Sequence, residues 1–132
     1  MPNHSTHQGG CHCGAVKFEV NALTQVTAQR CNCSICLMTG FVHLIVPAAN
    51  FKLLCGKQDL VSYQFNTKTA EHLFCRHCGV KSFYVPRSNP DGYSINVNCL
   101  DQSSFDEIRI EDFDGANWER NAAALAHLSK PD

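Results

Sequence analysis

Gly10-Cys11-His12-Cys13-Gly14 and Cys75-Arg76-His77-Cys78-Gly79 are the two stretches that decide how this chain folds. Each puts two cysteines in one short turn. The glycine behind the last cysteine admits the positive φ that such turns often need. A turn of this kind aims both sulfurs, and nearby backbone N–H groups, at one metal ion. Two knuckles far apart in sequence can then close one tetrahedral site. Such a site ties the first strand to the middle of the chain. Structural zinc contributes on the order of 10 kcal/mol to folding in small domains.

Between the knuckles lies a third cluster, Cys31-Asn32-Cys33-Ser34-Ile35-Cys36. The three clusters together hold seven of the nine cysteines. Two closed four-cysteine sites would need eight. Seven make one closed site and one three-cysteine site with an open position, the mark of a catalytic or ligand-binding zinc. The compact triple Cys31, Cys33 and Cys36 suits the open site, which leaves Cys11, Cys13, Cys75 and Cys78 for the closed one. One ion in each gives two zinc ions per chain. An alternative makes both sites structural, with Cys99 or Cys55 as the eighth ligand. Cys99 follows a strand and is the better substitute; Cys55 reads as core or strand end. Iron–sulfur ligation fits less well, because the triple is too crowded for the usual ferredoxin spacings.

Working outward, 132 residues suit one domain, 1–132, with its core over about 9–119. Disulfides are disfavoured by the odd cysteine count and by a polar start that does not read as a secretion signal. No apolar run approaches the length of a membrane-spanning helix. A net charge of -1 gives no electrostatic case for a nucleic acid or a membrane surface as partner. These features lead us to expect a cytoplasmic protein.

Short apolar runs between turn signals read as strands. They are Ala15 to Val20, Phe41 to Val46, Phe51 to Cys55, Leu60 to Phe65, Glu71 to Phe74, Val80 to Val85 and Tyr93 to Val97, with a last short one at Ile108 and Ile110. Alternation puts Val16, Phe18 and Val20 on one face, and Tyr93, Ile95 and Val97 on another. Ser34 to Met38 suits one helical turn. Asn117 to Leu128, rich in alanine, suits a short C-terminal helix. The fold class is therefore mainly β, with sheets packed on each other or closed into a partial barrel.

The histidines carry weaker signals. His12 and His77, inside the knuckles, are expected to point outward or to steady the turn. His43, in an apolar strand, reads as a core histidine sooner than a ligand. His72 reads as a solvated strand residue. Arg87, Ser88 and Asn89 form either an ordinary turn or the wall of a cleft for an anionic substrate, since arginine pairs well with carboxylates.

Taken together, Gly9-Gly-Cys-His-Cys-Gly-Ala-Val, Cys31-Asn-Cys-Ser-Ile-Cys, Phe74-Cys-x-x-Cys-Gly, Tyr84-Val-Pro-Arg-Ser-Asn-Pro and Asn98-Cys-Leu-Asp resemble the glutathione-dependent formaldehyde-activating enzyme family. The likeness is greatest to the branch that contains centromere protein V. It implies stacked antiparallel sheets of the Mss4-like kind. It also implies a structural zinc on Cys11, Cys13, Cys75 and Cys78, and a catalytic zinc on Cys31, Cys33 and Cys36. The implied reaction is of the carbon–sulfur lyase type, joining glutathione, or a related small-molecule thiol, to an aldehyde as S-hydroxymethylglutathione. The centromere-protein branch implies instead a scaffold or interaction module.

Overall fold

The computed structural model describes residues 4–64, 70–86, 89, 91–114 and 128–129. Its strands are β1 (His4–Gly10), β2 (Lys17–Leu23), β3 (Gln25–Cys31), β4 (Val42–Pro47), β5 (Phe51–Cys55), β6 (Leu60–Tyr63), β7 (Glu71–Cys75), β8 (Phe83–Val85), β9 (Gly92–Asn96) and β10 (Glu107–Phe113). The helix α1 (Ser34–Thr39) joins β3 to β4. Strands β1-β2-β5 form a three-stranded sheet, and β10-β3-β4-β9-β8-β7-β6 form a seven-stranded one. The mainly β class expected from the sequence holds. Pairing is antiparallel except between β10 and β3, which run parallel.

Eight strands fall where the apolar runs put them, with ends shifted by a few residues. Two were not expected. β1 and β3 are short of apolar residues, and each buries a single side chain fully enough to count as core, His7 and Ala28. Burial of a histidine is invisible to a hydrophobic pattern. His7 is satisfied locally: Nδ1 lies 2.6 Å from Ser104 Oγ, Nε2 lies 3.2 Å from the carbonyl oxygens of Ala22 and Leu23, and the ring stacks on Phe105. The expected helix over Asn117–Leu128 lies outside the described residues apart from its last position. Among the described residues, no helix is long and apolar enough to cross a membrane.

The core lies between the sheets. Phe18, Val20 and Ala22 from the smaller sheet, with Val16 just before β2, meet Leu44, Val46, Phe83 and Ile95 from the larger, with Val97 just after β9. Phe18, Phe51 and Phe83 pack ring against ring, with centroids 4.7–5.5 Å apart. The expected faces are both in this cluster: Val16, Phe18 and Val20 are fully buried, and Ile95 and Val97 are buried with Tyr93 packed beside them.

The larger sheet has a second face of different character. Directly opposed residues share a face. The register therefore lines up Ile45, Ser94, Tyr84, His72 and Tyr63 across five strands. A neighbouring row holds Gln29, His43 and Asn96. His43, Ser94, Tyr84, His72 and Asn96 are all buried. His72 thus departs from the solvated position expected of it: it is only 4% exposed, because this face is covered as well as the core face.

Candidate metal centres and their surroundings

The four-cysteine cluster joins the loop after β1 to the end of β7. All four sulfurs, of Cys11, Cys13, Cys75 and Cys78, lie within 4.8 Å of one another. Cys11 Sγ is 3.6 Å from Cys13 Sγ, which is 3.6 Å from Cys75 Sγ. These separations are far too long for disulfides, and all nine cysteines are free. They match the edge of a tetrahedron with zinc–sulfur bonds near 2.3 Å, about 3.8 Å. The donor set therefore fits zinc.

Local sequence explains the arrangement. Gly14 (φ 83°) and Gly79 (φ 74°) take the left-handed conformation that lets each knuckle turn back. Gly79 N donates to the Cys75 carbonyl at 2.8 Å. The amides of Val16 and His77 donate to the sulfurs of Cys11 and Cys75 at 3.3 and 3.4 Å. The Val80 amide, then the Cys13 amide and the Cys75 and Cys11 thiols, hold the Cys78 thiol down to about 6. Outside the cluster, Asp59 Oδ1 accepts from Arg76 Nε at 3.1 Å and pairs with His77 Nε2 at 3.0 Å. His77 does what was expected of it: it faces outward and steadies the turn.

The three-cysteine cluster is built from one local segment. Cys31 ends β3, Cys33 caps the N-terminus of α1, and Cys36 lies one turn into the helix. Positions three apart share a helix side, so Cys33 and Cys36 face Cys31 together. Their sulfurs also lie within 4.8 Å of one another. The Cys33 amide approaches Cys31 Sγ at 3.5 Å. Asn32 pins the segment to the end of β10, through its amide to Phe113 O at 3.3 Å and its side chain to Asp114 Oδ1 at 3.1 Å. The Cys31 thiol, then the Cys36 thiol, donates toward Cys33 and holds it far below the usual thiol range. Contact with Cys33 pushes Cys31 up, and contacts with Cys31 and then Cys33 push Cys36 up. Within the triple the thiolate form is thus favoured at Cys33.

Cys55 and Cys99 join neither group. Cys55 ends β5, as expected, but is exposed, with its thiol 3.6 Å from the Ala15 carbonyl. Cys99 is pushed up to about 11 by burial and then by charge at Cys11 and Cys78, so it borders the four-cysteine cluster and not the triple. An eighth ligand that closes the second site is absent from the described residues.

The wall beside the triple was not read from the sequence. It is the buried polar face of the larger sheet. Lys81 is only 7% exposed. Its ammonium donates to His72 Nδ1 at 2.7 Å and lies 3.9 Å from the Tyr84 ring centroid and 5.0 Å from that of Phe41. Among the described residues it has no carboxylate partner. Burial lowers Lys81 to about 8, and the charges of Cys36, Cys33 and Cys31 oppose that shift. Burial and then Lys81 hold His43 down to about 3 and His72 to about 4. Burial and then the thiolate charge push the Tyr84 hydroxyl well up. Both imidazoles are therefore neutral near pH 7. His43 Nδ1 meets Ser94 Oγ at 2.9 Å and Tyr84 Oη at 3.2 Å. The available sequence signal was the run of polar residues at alternate positions of β9, Ser94 and Asn96, on the face opposite Ile95. Of the expected polar loop, Asn89 is fully buried and donates to Ser129 Oγ at 2.8 Å, so it is an internal tie; Arg87 and Ser88 lie outside the described residues.

A family model described as glutathione-dependent formaldehyde-activating enzyme matches residues 6–113, a span that contains both thiol clusters. The chain belongs to that family. A Halomonas elongata protein, provisionally named a glutathione-dependent formaldehyde-activating enzyme, is 33% identical over 79 residues, covering 54% of this chain and 50% of its own. The chain thus spans about half the length of that curated relative. A crystal structure of a Rhodobacter sphaeroides protein is similar with a TM-score of 0.67 and 37% identity, over 79% of this chain and 99% of that one.

Proposed function

We propose that this family member is a zinc-dependent enzyme of the carbon–sulfur lyase type, acting on glutathione or a similar small thiol and an aldehyde such as formaldehyde. The observation that carries the reading is the inequality of the clusters: four sulfurs in one and three in the other, each set within 4.8 Å. Cys11, Cys13, Cys75 and Cys78 would hold a structural zinc. Cys31, Cys33 and Cys36 would hold a second zinc with a free position. When bound there, that ion supplies a Lewis-acid centre that favours a thiolate over a thiol.

In the forward direction the thiol sulfur forms a bond to the aldehyde carbon. The carbonyl π pair passes to oxygen, which takes up the proton that the thiol loses. Lys81 places a positive charge beside the site and offsets the negative charge that the thiolates gather. The neutral His43 and the Tyr84 hydroxyl give that wall hydrogen-bonding groups without adding charge. Holding both partners at one site lowers the entropic barrier to addition. Free thiols throughout suit a reducing compartment such as the cytoplasm.

The test mixes formaldehyde and glutathione and follows adduct formation with wild type and Cys33→Ser. Wild type should exceed the uncatalysed rate, and the variant should return to it. Equal rates for both proteins, at the uncatalysed level, would remove the reading.

A second reading, a non-catalytic scaffold or interaction module as in the branch containing centromere protein V, draws on one observation. Leu37 and Met38, directly after Cys36, are 69% and 87% exposed. It predicts retrieval of a macromolecular partner that depends on Leu37 and Met38, together with a metal site indifferent to thiols.

A further inference from the structure

Among the described residues, two buried side-chain oxygen or nitrogen atoms lack a hydrogen-bond partner: Gln29 Oε1 and His43 Nε2. They belong to directly opposed residues of β3 and β4, whose Cβ atoms in such a pair stand about 5 Å apart on one face. Gln29 is two residues before Cys31 and on the same side of β3. The pair therefore borders the three-cysteine cluster. A buried polar atom without a partner is costly, so two on directly opposed residues indicate a place where something else completes the bonding.

Their polarities can be assigned. Ser94 Oγ is fully buried, and the ring nitrogen of His43 is its partner at 2.9 Å. We assign the serine proton to that nitrogen, its hydrogen-bond partner among the described residues and closer to it than Tyr84 Oη at 3.2 Å, so Nδ1 accepts. In the neutral ring the proton then sits on Nε2, which is a donor. Gln29 Oε1 is an acceptor. One donor beside one acceptor is the complement of a hydroxyl group, which accepts one hydrogen bond and gives one. A carbonyl oxygen can satisfy only the histidine.

We propose that Gln29 and His43 form a hydroxyl-recognition pair that positions the hydroxymethyl group of the thiol–aldehyde adduct beside the three-cysteine site. This rests on the enzymatic reading above and deepens it: the pair distinguishes the adduct from the free thiol. Ser94 and Tyr84 act through His43 as positioning residues, by fixing its ring and tautomer.

The experiment uses the zinc-loaded chain and two probes, glutathione alone and glutathione equilibrated with excess formaldehyde, with formaldehyde alone as control. Calorimetry gives the affinity ratio of the two probes for wild type and for Gln29→Leu. The ratio should fall about tenfold in the variant, the scale of one hydrogen bond to a buried donor left unmet. In parallel, the ¹⁵N resonance of Nε2 in histidine-labelled wild type should move with the adduct mixture and stay in place with glutathione. An unchanged ratio, or a resonance that the adduct does not move, assigns the pair to a bound water and overturns the proposal, while glutathione binding stands. If glutathione fails to bind at all, the enzymatic reading fails, and the pair's role falls with it.

Discussion

The two cysteine clusters both gather thiols within 4.8 Å of one another, yet they are built in opposite ways. The four-cysteine cluster joins the loop after β1 to the end of β7, and its surroundings are backbone amides and a clip in which the exposed Arg76 and His77 meet the partly buried Asp59. The three-cysteine cluster comes from one segment, and its surroundings are buried and ionisable: Lys81, His43, Tyr84 and His72. Placement in the chain decides what breaking each cluster would do to the fold. Ligands from distant segments cross-link the fold, whereas ligands from a single segment can change without untying it. A buried lysine without a carboxylate partner is costly, and that cost is tolerable where a site gathers negative charge.

The largest effect should follow from breaking the staple. Cys78→Ser should lose the folded state or most of its stability, on the order of the 10 kcal/mol that structural zinc supplies. Cys33→Ser should remain folded while losing one zinc per chain. Circular dichroism with metal analysis checks both. Comparable unfolding of the two variants would erase the distinction between the clusters.

Acid should separate the clusters' surroundings more gently. His43 and His72 titrate lower in the fold than in the unfolded chain, at about 3 and about 4 against 6.5. Below pH 6.5 the unfolded state therefore binds more protons, and stability falls as the pH drops toward 4. The slope approaches about 1.4 kcal/mol per pH unit for each histidine. Denaturant melts across this range should be flatter for His72→Gln than for wild type. Parallel curves would show that the wall carries none of the acid sensitivity. Zinc release on acidification adds to the effect, so the comparison is best made on metal-free protein if it stays folded, and otherwise at saturating zinc.

The smallest effect should come from the clip. Asp59 meets Arg76 and His77 at the surface, and exposed ion pairs contribute about 0–1 kcal/mol. Asp59→Asn should therefore lower thermal stability slightly and leave the three-cysteine site unaltered, as read from its response to glutathione. A large loss would mean that the clip holds the knuckle in shape.

Much of this was legible in the residues. Knuckle spacing gave both groups of converging thiols, because three or four sulfurs brought to one point require short, turn-forming separations. Alternation gave the strands that face the core, such as those bearing Phe18 and Ile95. The misses share one cause. β1 and β3 carry few apolar residues, His72 was read as solvated, and the importance of Lys81 and Tyr84 went unseen. All but β1 belong to the larger sheet or, for Lys81, to its β7–β8 connection, and that sheet's second face is buried and polar. A pattern that equates burial with apolar character cannot find such a face. Only the register, which brings Ser94, Tyr84 and His72 into one row, exposes it.

The most direct test of the inequality between the clusters is a glutathione titration of the cobalt-substituted chain, with two cobalt ions bound. Four thiolates leave the first site nothing to exchange, and three leave the second a place for a thiol. The absorption of one cobalt of the two should change and saturate with glutathione, and Cys33→Ser should abolish that change. A spectrum in which neither site responds, or in which both respond alike, would contradict it.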